Sequence, residues 1–273
     1  MAFFENVLRI MDVQMETPEP YGWFHLLWLG ITVLATVLLC LWHKKSGNEH
    51  RVRVIVFVTA VIVALMEVYK MVNYSFSYEN GIVYDFQWYA FPWQFCSTPM
   101  YVGLLTGIFR KGRIHESLQA YLATYSIFAG ICVMLYPVTV FIGTVGINIQ
   151  TMFCHGSMIT IGAFLLYSGY VKLEHKTIMK AIPVFVVAVV MAIAMNEIAY
   201  ISGLLETETF NMFFISPHCE PSLPVYSIVQ ELVPYPWCLI IYILAFSVAA
   251  YLMLLIAMGI RSLFQKKAKA ITV

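Results

Sequence analysis

The chain has 273 residues, of which 61% are hydrophobic and only 11% charged, with a formal net charge of +1. An average soluble domain carries about 25% charged residues. A chain this apolar cannot cover itself with polar surface, which excludes a water-soluble globule, and its near-neutral balance gives no basic footprint for nucleic acid.

Residues 1–20 read as an N-terminal interfacial segment. Met1 to Met11 lacks the basic start and long apolar run of a secretory leader. Phe3, Phe4, Val7, Leu8 and Met11 recur at helical spacing, which predicts a short helix lying on the outer membrane surface. Seven segments then follow within a transmembrane domain, residues 21–264, each matched against the need for about 20 mostly apolar residues per span. They are 21–42, 52–73, 95–109, 117–142, 150–171, 181–205 and 236–264. The third is short, and the aromatic residues 86–94 ahead of it are expected to dip into the interface. Spans in lipid must satisfy their own backbone groups, so an all-α polytopic bundle of about seven spans is expected.

The loops alternate in Lys and Arg content. Lys44, Lys45, Arg51 and Arg53 occupy the first loop, Arg110, Lys111 and Arg113 the third, and Lys172, Lys176 and Lys180 the fifth. Arg261, Lys266, Lys267 and Lys269 mark the end of the chain, where 265–273 reads as a basic cytoplasmic tail. Together these are 14 of the 16 basic residues. Basic loops stay in the cytoplasm, so the N-terminus is expected outside, the C-terminus in the cytoplasm, and the number of spans odd.

Polar residues gather at one expected depth. Glu67 and Lys70 lie near the outer end of the second span, three residues apart on one helical face. Asn196 and Glu197 stand in the outer half of the sixth, and His25 near the outer end of the first. Gln94, Cys96 and Ser97 open the third span, His155 lies about a turn inside the fifth, and His218 is in the sixth loop. An intramembrane carboxylate costs about 2.5–3.5 kcal/mol on insertion scales, so the set reads as a polar cavity opening outward. Polar staples between helices are the plainer alternative. Cys96 follows Trp88, Pro92 and Trp93 at a predicted helix N-terminus, where unpaired N–H groups favour a thiolate. It is either a nucleophile or a packing residue. His155, between Cys154 and Gly156, is either a general base or a helix-to-helix hydrogen-bond partner. The six cysteines show no metal-finger spacing, and no metal or other cofactor is expected.

Three segments together resemble the bacterial YwaF-like integral membrane family and its eukaryotic relative, transmembrane protein 164. The first, Phe91-Pro92-Trp93-Gln94-Phe95-Cys96-Ser97, is similar to the family's proline–x–His–x–Cys element. The second, Met152-Phe153-Cys154-His155-Gly156-Ser157-Met158, is similar to its His-Gly element. The third comprises Asn196 through Gly203, Pro217 and Pro234-Tyr235-Pro236-Trp237-Cys238, and His25 resembles the family's first-span histidine. The resemblance implies a Cys-dependent phospholipid acyltransferase, related in fold to androgen-induced membrane lipid hydrolases that use Thr with His. Cys96 would be the nucleophile and His155 its base. Two departures stand out. Gln94 occupies the place of the family's His, and an amide cannot move a proton at neutral pH. The sixth loop, 206–235, is also long and is expected to cover or narrow the site.

The sequence therefore predicts a multi-pass cell-membrane protein acting on membrane phospholipids, as an acyltransferase or a lipid-ester hydrolase. Glu67, Asn196 or Glu197 would orient His155, and Gln94 or a backbone N–H near Ser97 would hold the oxyanion. A transporter or seven-helix binding protein built on Glu67, Lys70, His155 and Glu197 is the chief rival. A zinc hydrolase on His25, His155 and His218 is a third.

Overall fold

The computed structural model describes residues 2–46, 48–78 and 81–271; the side chains of Ala2, Lys44, Lys45, Ser46 and residues 264–271 lie outside that description. The basic side chains expected at Lys44, Lys45, Lys266, Lys267 and Lys269 thus fall outside the described set. The elements are α1 (Ala2–Met11), α2 (Trp23–Ser46), α3 (Glu49–Ser75), a hairpin of β1 (Phe76–Ser77) and β2 (Val83–Tyr84), α4 (Thr98–Ile108), α5 (Gly112–Leu122), α6 (Tyr125–Leu135), α7 (Val145–Tyr167), α8 (Lys176–Ile201), α9 (Tyr226–Leu232) and α10 (Trp237–Ile271). The molecule is an all-α polytopic bundle, and the one described sheet is the antiparallel β1–β2 hairpin.

Six helical stretches among the described residues are long and apolar enough to cross a membrane: α2, α3, α5 with α6, α7, α8 and α10. Their burial sorts them into layers. The apolar windows of α5–α6 and α7 are 72% and 67% buried, whereas those of α2, α3, α8 and α10 are 17–33% buried. A helix apolar all round belongs either in a core or against lipid; here α6 and α7 form the centre and the others the lipid-facing ring. Two close approaches fix α7. A Cβ at Gly156 would stand 2.5 Å from Thr32 Oγ1 of α2, and one at Gly130 of α6 would stand 2.7 Å from the His155 carbonyl oxygen. Small residues let backbones meet this closely in membranes.

The crossing expected over 95–109 takes a different form. Its helical part, α4, has 11 residues, about 16 Å at 1.5 Å per residue and too short for a hydrocarbon core of about 30 Å. Gly103 faces Ala60 and Gly107 faces Phe57, so α4 runs antiparallel along the inner half of α3. The outer half of this crossing is irregular chain, because Pro92 and Pro99 bracket a stretch that cannot make a continuous helical ladder. Non-helical backbone is tolerated at membrane depth where protein covers it. Trp93 Nε1 donates to the Ala188 carbonyl at 3.3 Å, halfway along α8, and Phe95 packs on Phe128, Phe185, Phe213 and Phe246. The irregular segment therefore carries Cys96 to the middle of the bundle rather than leaving it at the outer end of a span.

The outer ends are capped by the N-terminal segment. Tyr69 Oη donates to the Met11 carbonyl at 2.6 Å, and Gln14 bridges to Thr144. Residues 210–216 of the sixth loop fold inward, with Phe214 alone among them exposed: Met212, Phe213 and Ile215 are fully buried. At the other end α10 continues as helix through the expected tail boundary at 264 to Ile271.

Candidate functional site

Cys96 sits half-buried two residues before α4, with Ser97 as the cap residue. The chain turns here on one carbonyl: the N–H groups of Ser97 and Thr98 both donate to the Gln94 oxygen, at 2.8 and 3.2 Å. Thr98 Oγ1 bonds the Phe95 carbonyl and the buried Tyr121 hydroxyl, locking the start of α4 against α5. Cys96 is thus held on a rigid corner.

That corner forms part of the wall of two cavities. On one side, between α6, α9 and α10, lies an apolar cavity of about 550 Å³. Gln94 and Cys96 are among its lining residues, with Phe128, Cys132, Tyr242, Phe246 and Val225. Cys132 and Val225 are exposed, so the cavity meets the membrane side of the bundle. On the other side is a narrow hollow of about 30 Å³ between α3, α4, α6 and α7, where Cys96 faces Ser126, Cys154 and Ser157. A void needs only about 10–15 Å³ by this measure to hold a water with polar partners. All six cysteines are free thiols.

His155 is buried in α7. Its Nδ1 lies 2.7 Å from the Thr151 carbonyl, which can only accept, so Nδ1 carries the hydrogen and Nε2 presents its lone pair. That Nε2 is buried and has no hydrogen-bond partner among the described residues. No hydrogen bond joins His155 to Cys96 among the described residues, and His155 lines neither cavity.

The remaining polar residues divide into separate partnerships. Glu67 pairs with Lys70 at 2.6 Å and accepts from Gln150 Nε2 at 2.8 Å. Gln150 also reaches the Cys154 sulfur at 3.4 Å, so this group adjoins the small hollow. Asn196 clasps the Met212 backbone, donating to its carbonyl at 3.0 Å and accepting its N–H at 2.7 Å. Gln94 clasps the same stretch from the other side, donating to the Asn211 carbonyl and accepting the Phe213 N–H. Glu197 and His218 pair with each other at 3.1 Å, and His218 stacks on Tyr200. His25 is fully buried, accepting the Tyr21 N–H at Nδ1 and donating from Nε2 to the Met134 carbonyl at 2.8 Å. None of Glu67, Asn196 and Glu197 hydrogen-bonds to His155; the helix's own Thr151 carbonyl orients it. The three histidines of the zinc reading have three different sets of partners, and no group of three possible ligands forms among the described residues.

Gln150, Cys154 and Asn211 were not singled out by sequence. Gln150 is the first residue of the expected span 150–171, four residues before Cys154, and it is its bond to Glu67 of α3 that marks it.

The TMEM164 family model matches residues 20–254, most of the chain. The chain belongs to the TMEM164 family. The match takes in every segment on which the resemblance rested, from His25 to Cys238, and places the chain in a membrane-protein family. Neither the curated proteins nor the solved structures yield a match for this TMEM164-family chain.

Proposed function

We propose that the chain is a membrane-embedded lipid acyl-transfer enzyme of the cell membrane, an acyltransferase or lipid-ester hydrolase with Cys96 as nucleophile. The observation that carries this reading is the place of Cys96 in the wall between an apolar cavity open to lipid and a small, mostly apolar hollow that Ser126, Cys154 and Ser157 also line. A volume of about 550 Å³ falls in the usual range for small-molecule sites, about 300–1,000 Å³. A phospholipid acyl chain entering between α6 and α10 would fill it and bring the ester carbonyl to the sulfur.

In this reaction the Cys96 thiol gives up its proton and attacks the ester carbonyl. The C–O bond breaks, the acyl group stays on sulfur as a thioester, and the proton leaves on the lysolipid hydroxyl. An acceptor hydroxyl then attacks the thioester, the C–S bond breaks, and the acceptor's proton returns to the thiol. The hollow has room for a water on the Cys96 side; a lysolipid acceptor would enter by the apolar side. The free Nε2 of His155 supports its role as base. Because His155 lines neither cavity, it reaches the thiol in this reading only after neighbouring side chains shift to admit a bridging water. The Ser97 N–H is committed to Gln94, so the second Nε2 hydrogen of Gln94 and the Cys96 N–H are the oxyanion donors in this reading.

The test uses purified protein in vesicles containing a phospholipid labelled in its acyl chain, with and without a lysolipid acceptor. Released or transferred acyl chain is expected from wild type and from Cys154→Ala, and only background from Cys96→Ala. Full turnover by Cys96→Ala removes the proposal.

A further inference from the structure

At the basic ends of the helices, away from Cys96, a polar cavity of about 440 Å³ opens between the starts of α3, α5 and α8. Its cations are Arg53, Arg110, Lys111, Lys172 and Lys180, and its acids Glu49, Glu116 and Glu174. Lys180 is taken by Glu116 at 2.7 Å, which leaves four cations against two carboxylates. The first turn of α5 lines the same space through Gly112, and that helix has no side-chain cap. Uncapped helix starts present unpaired N–H groups and a partial positive charge, a setting that attracts phosphate.

A second, independent observation points to a ligand. Gln119 lines this cavity, is 2% exposed, and has no hydrogen-bond partner for either Nε2 or Oε1 among the described residues. A buried polar group left unpaired costs about 1–3 kcal/mol. The amide asks for one group that accepts and another that donates. A phosphate oxygen beside a hydroxyl or ammonium supplies both.

The surroundings indicate where such a ligand comes from. Arg53 and Arg110 also line a neighbouring hollow of about 220 Å³ with Val54 and Phe57, and both apolar side chains are exposed on the outside of the bundle. Arg110 is steered by its own Nε, which donates to the Gly107 carbonyl at 3.1 Å. A phosphate between the two arginines therefore has a polar cavity on one side and an apolar path to lipid on the other. Basic pockets between helices on the cytoplasmic side are suited to lipid head groups.

We propose that this cavity binds an anionic phospholipid of the leaflet at the basic face, with Arg53 and Arg110 on the phosphate, Gln119 on the adjoining head-group polar atoms, and an acyl chain along Val54 and Phe57. A free soluble phosphate ester shares the recognised chemistry, and the experiment separates the two sources.

Full-length protein is placed in phosphatidylcholine nanodiscs with or without phosphatidylserine, and retained lipid is read by native mass spectrometry alongside the melting temperature. Glycerol phosphate is added to the lipid-free arm in detergent. Wild type and Arg261→Gln, a control outside the cavity, are expected to retain phosphatidylserine and melt higher with it. Arg53→Gln/Arg110→Gln and Gln119→Leu are expected to bind it at least about tenfold more weakly, the loss of one charge-assisted hydrogen bond. Gln119→Leu changes no charge and removes an unpaired amide, so its melting in phosphatidylcholine alone is expected to match or exceed wild type, which separates lost binding from misfolding. Equal retention by these variants and wild type overturns the proposal. Stabilisation by glycerol phosphate alone overturns the lipid assignment, and no response to either ligand overturns the site. Turnover at Cys96 is not a readout, so the outcome is independent of the acyl-transfer reading.

Discussion

Gln94 accepts the Phe213 N–H at 2.8 Å and, through the same amide, donates to the Asn211 carbonyl at 3.0 Å. Two residues before the proposed nucleophile, the chain is therefore bound to the buried part of the sixth loop, and Asn196 grips that loop from α8. The amide at position 94 works as a clamp that needs both a donor and an acceptor, which Gln supplies in one planar group. It follows that the loop does more than cover the site: it sets where Cys96 stands.

Gln94→Leu is accordingly expected to strand a buried N–H and a buried carbonyl, at about 1–3 kcal/mol for each group. The check is a thermal unfolding curve in detergent, together with protease susceptibility of residues 204–216. A variant as stable and as protected as wild type would show that the clamp contributes nothing.

The Glu67–Lys70 pair is 8% and 17% exposed in its side chains. Removing one partner from such a pair leaves a buried charge, and the cost is about 3–5 kcal/mol. Glu67→Gln and Lys70→Met are each expected to lower the melting temperature, and the double variant to recover part of the loss. Additive losses in the double variant would mean that the two groups do not interact.

Filling the apolar cavity separates a chain-binding role from mere packing space. Ala249→Phe and Ala129→Phe project bulk into it. Labelling of Cys96 by a long-chain acyl probe is expected to fall at least about tenfold, while labelling by a small water-soluble thiol reagent stays within about twofold, since only the long probe needs the apolar volume. Equal loss with both reagents would mean the fold was damaged.

His155→Ala is expected to slow acyl labelling of Cys96 by about 10²–10⁴-fold, the usual loss on removing a positioned base. Thermal stability should change little, since Nε2 gives up no partner and Nδ1 bonds only within its own helix. Labelling at the wild-type rate would remove His155 from the proton path.

Much of this fold was legible because lipid imposes a severe rule. Long apolar runs must be helices, so α2, α3, α7, α8 and α10 were found by hydropathy alone. The short α4 was legible in extent, as a run too brief for a full span, but not in depth. Whether residues 86–97 float in the interface or descend depends on what covers them, and Ala188, Phe185 and Phe213 come from distant segments. The site was half legible for a related reason. Loop charge and span length fix depth, and on depth Glu67, Asn196, Glu197 and His218 belonged together. Depth says nothing about the direction in which a side chain points around its helix. Direction assigned Glu67 to Lys70 and Gln150, Asn196 to the Met212 backbone, and Glu197 to His218, leaving Cys96 bordered by a different set. Gln150 escaped notice because an amide within a span gains meaning only once its neighbouring helix is known.

The central claim is that Cys96 carries an acyl group during turnover. The most direct measurement is the intact mass of the protein after brief incubation with phospholipid and rapid acid quench, followed by peptide mapping without reductant. The account predicts one added acyl mass, located on Cys96, removed by hydroxylamine as a thioester would be, absent from Cys96→Ser and present in Cys154→Ala. Lipid turnover at an undiminished rate with no acyl mass on Cys96, or with that mass on Cys154, would contradict it.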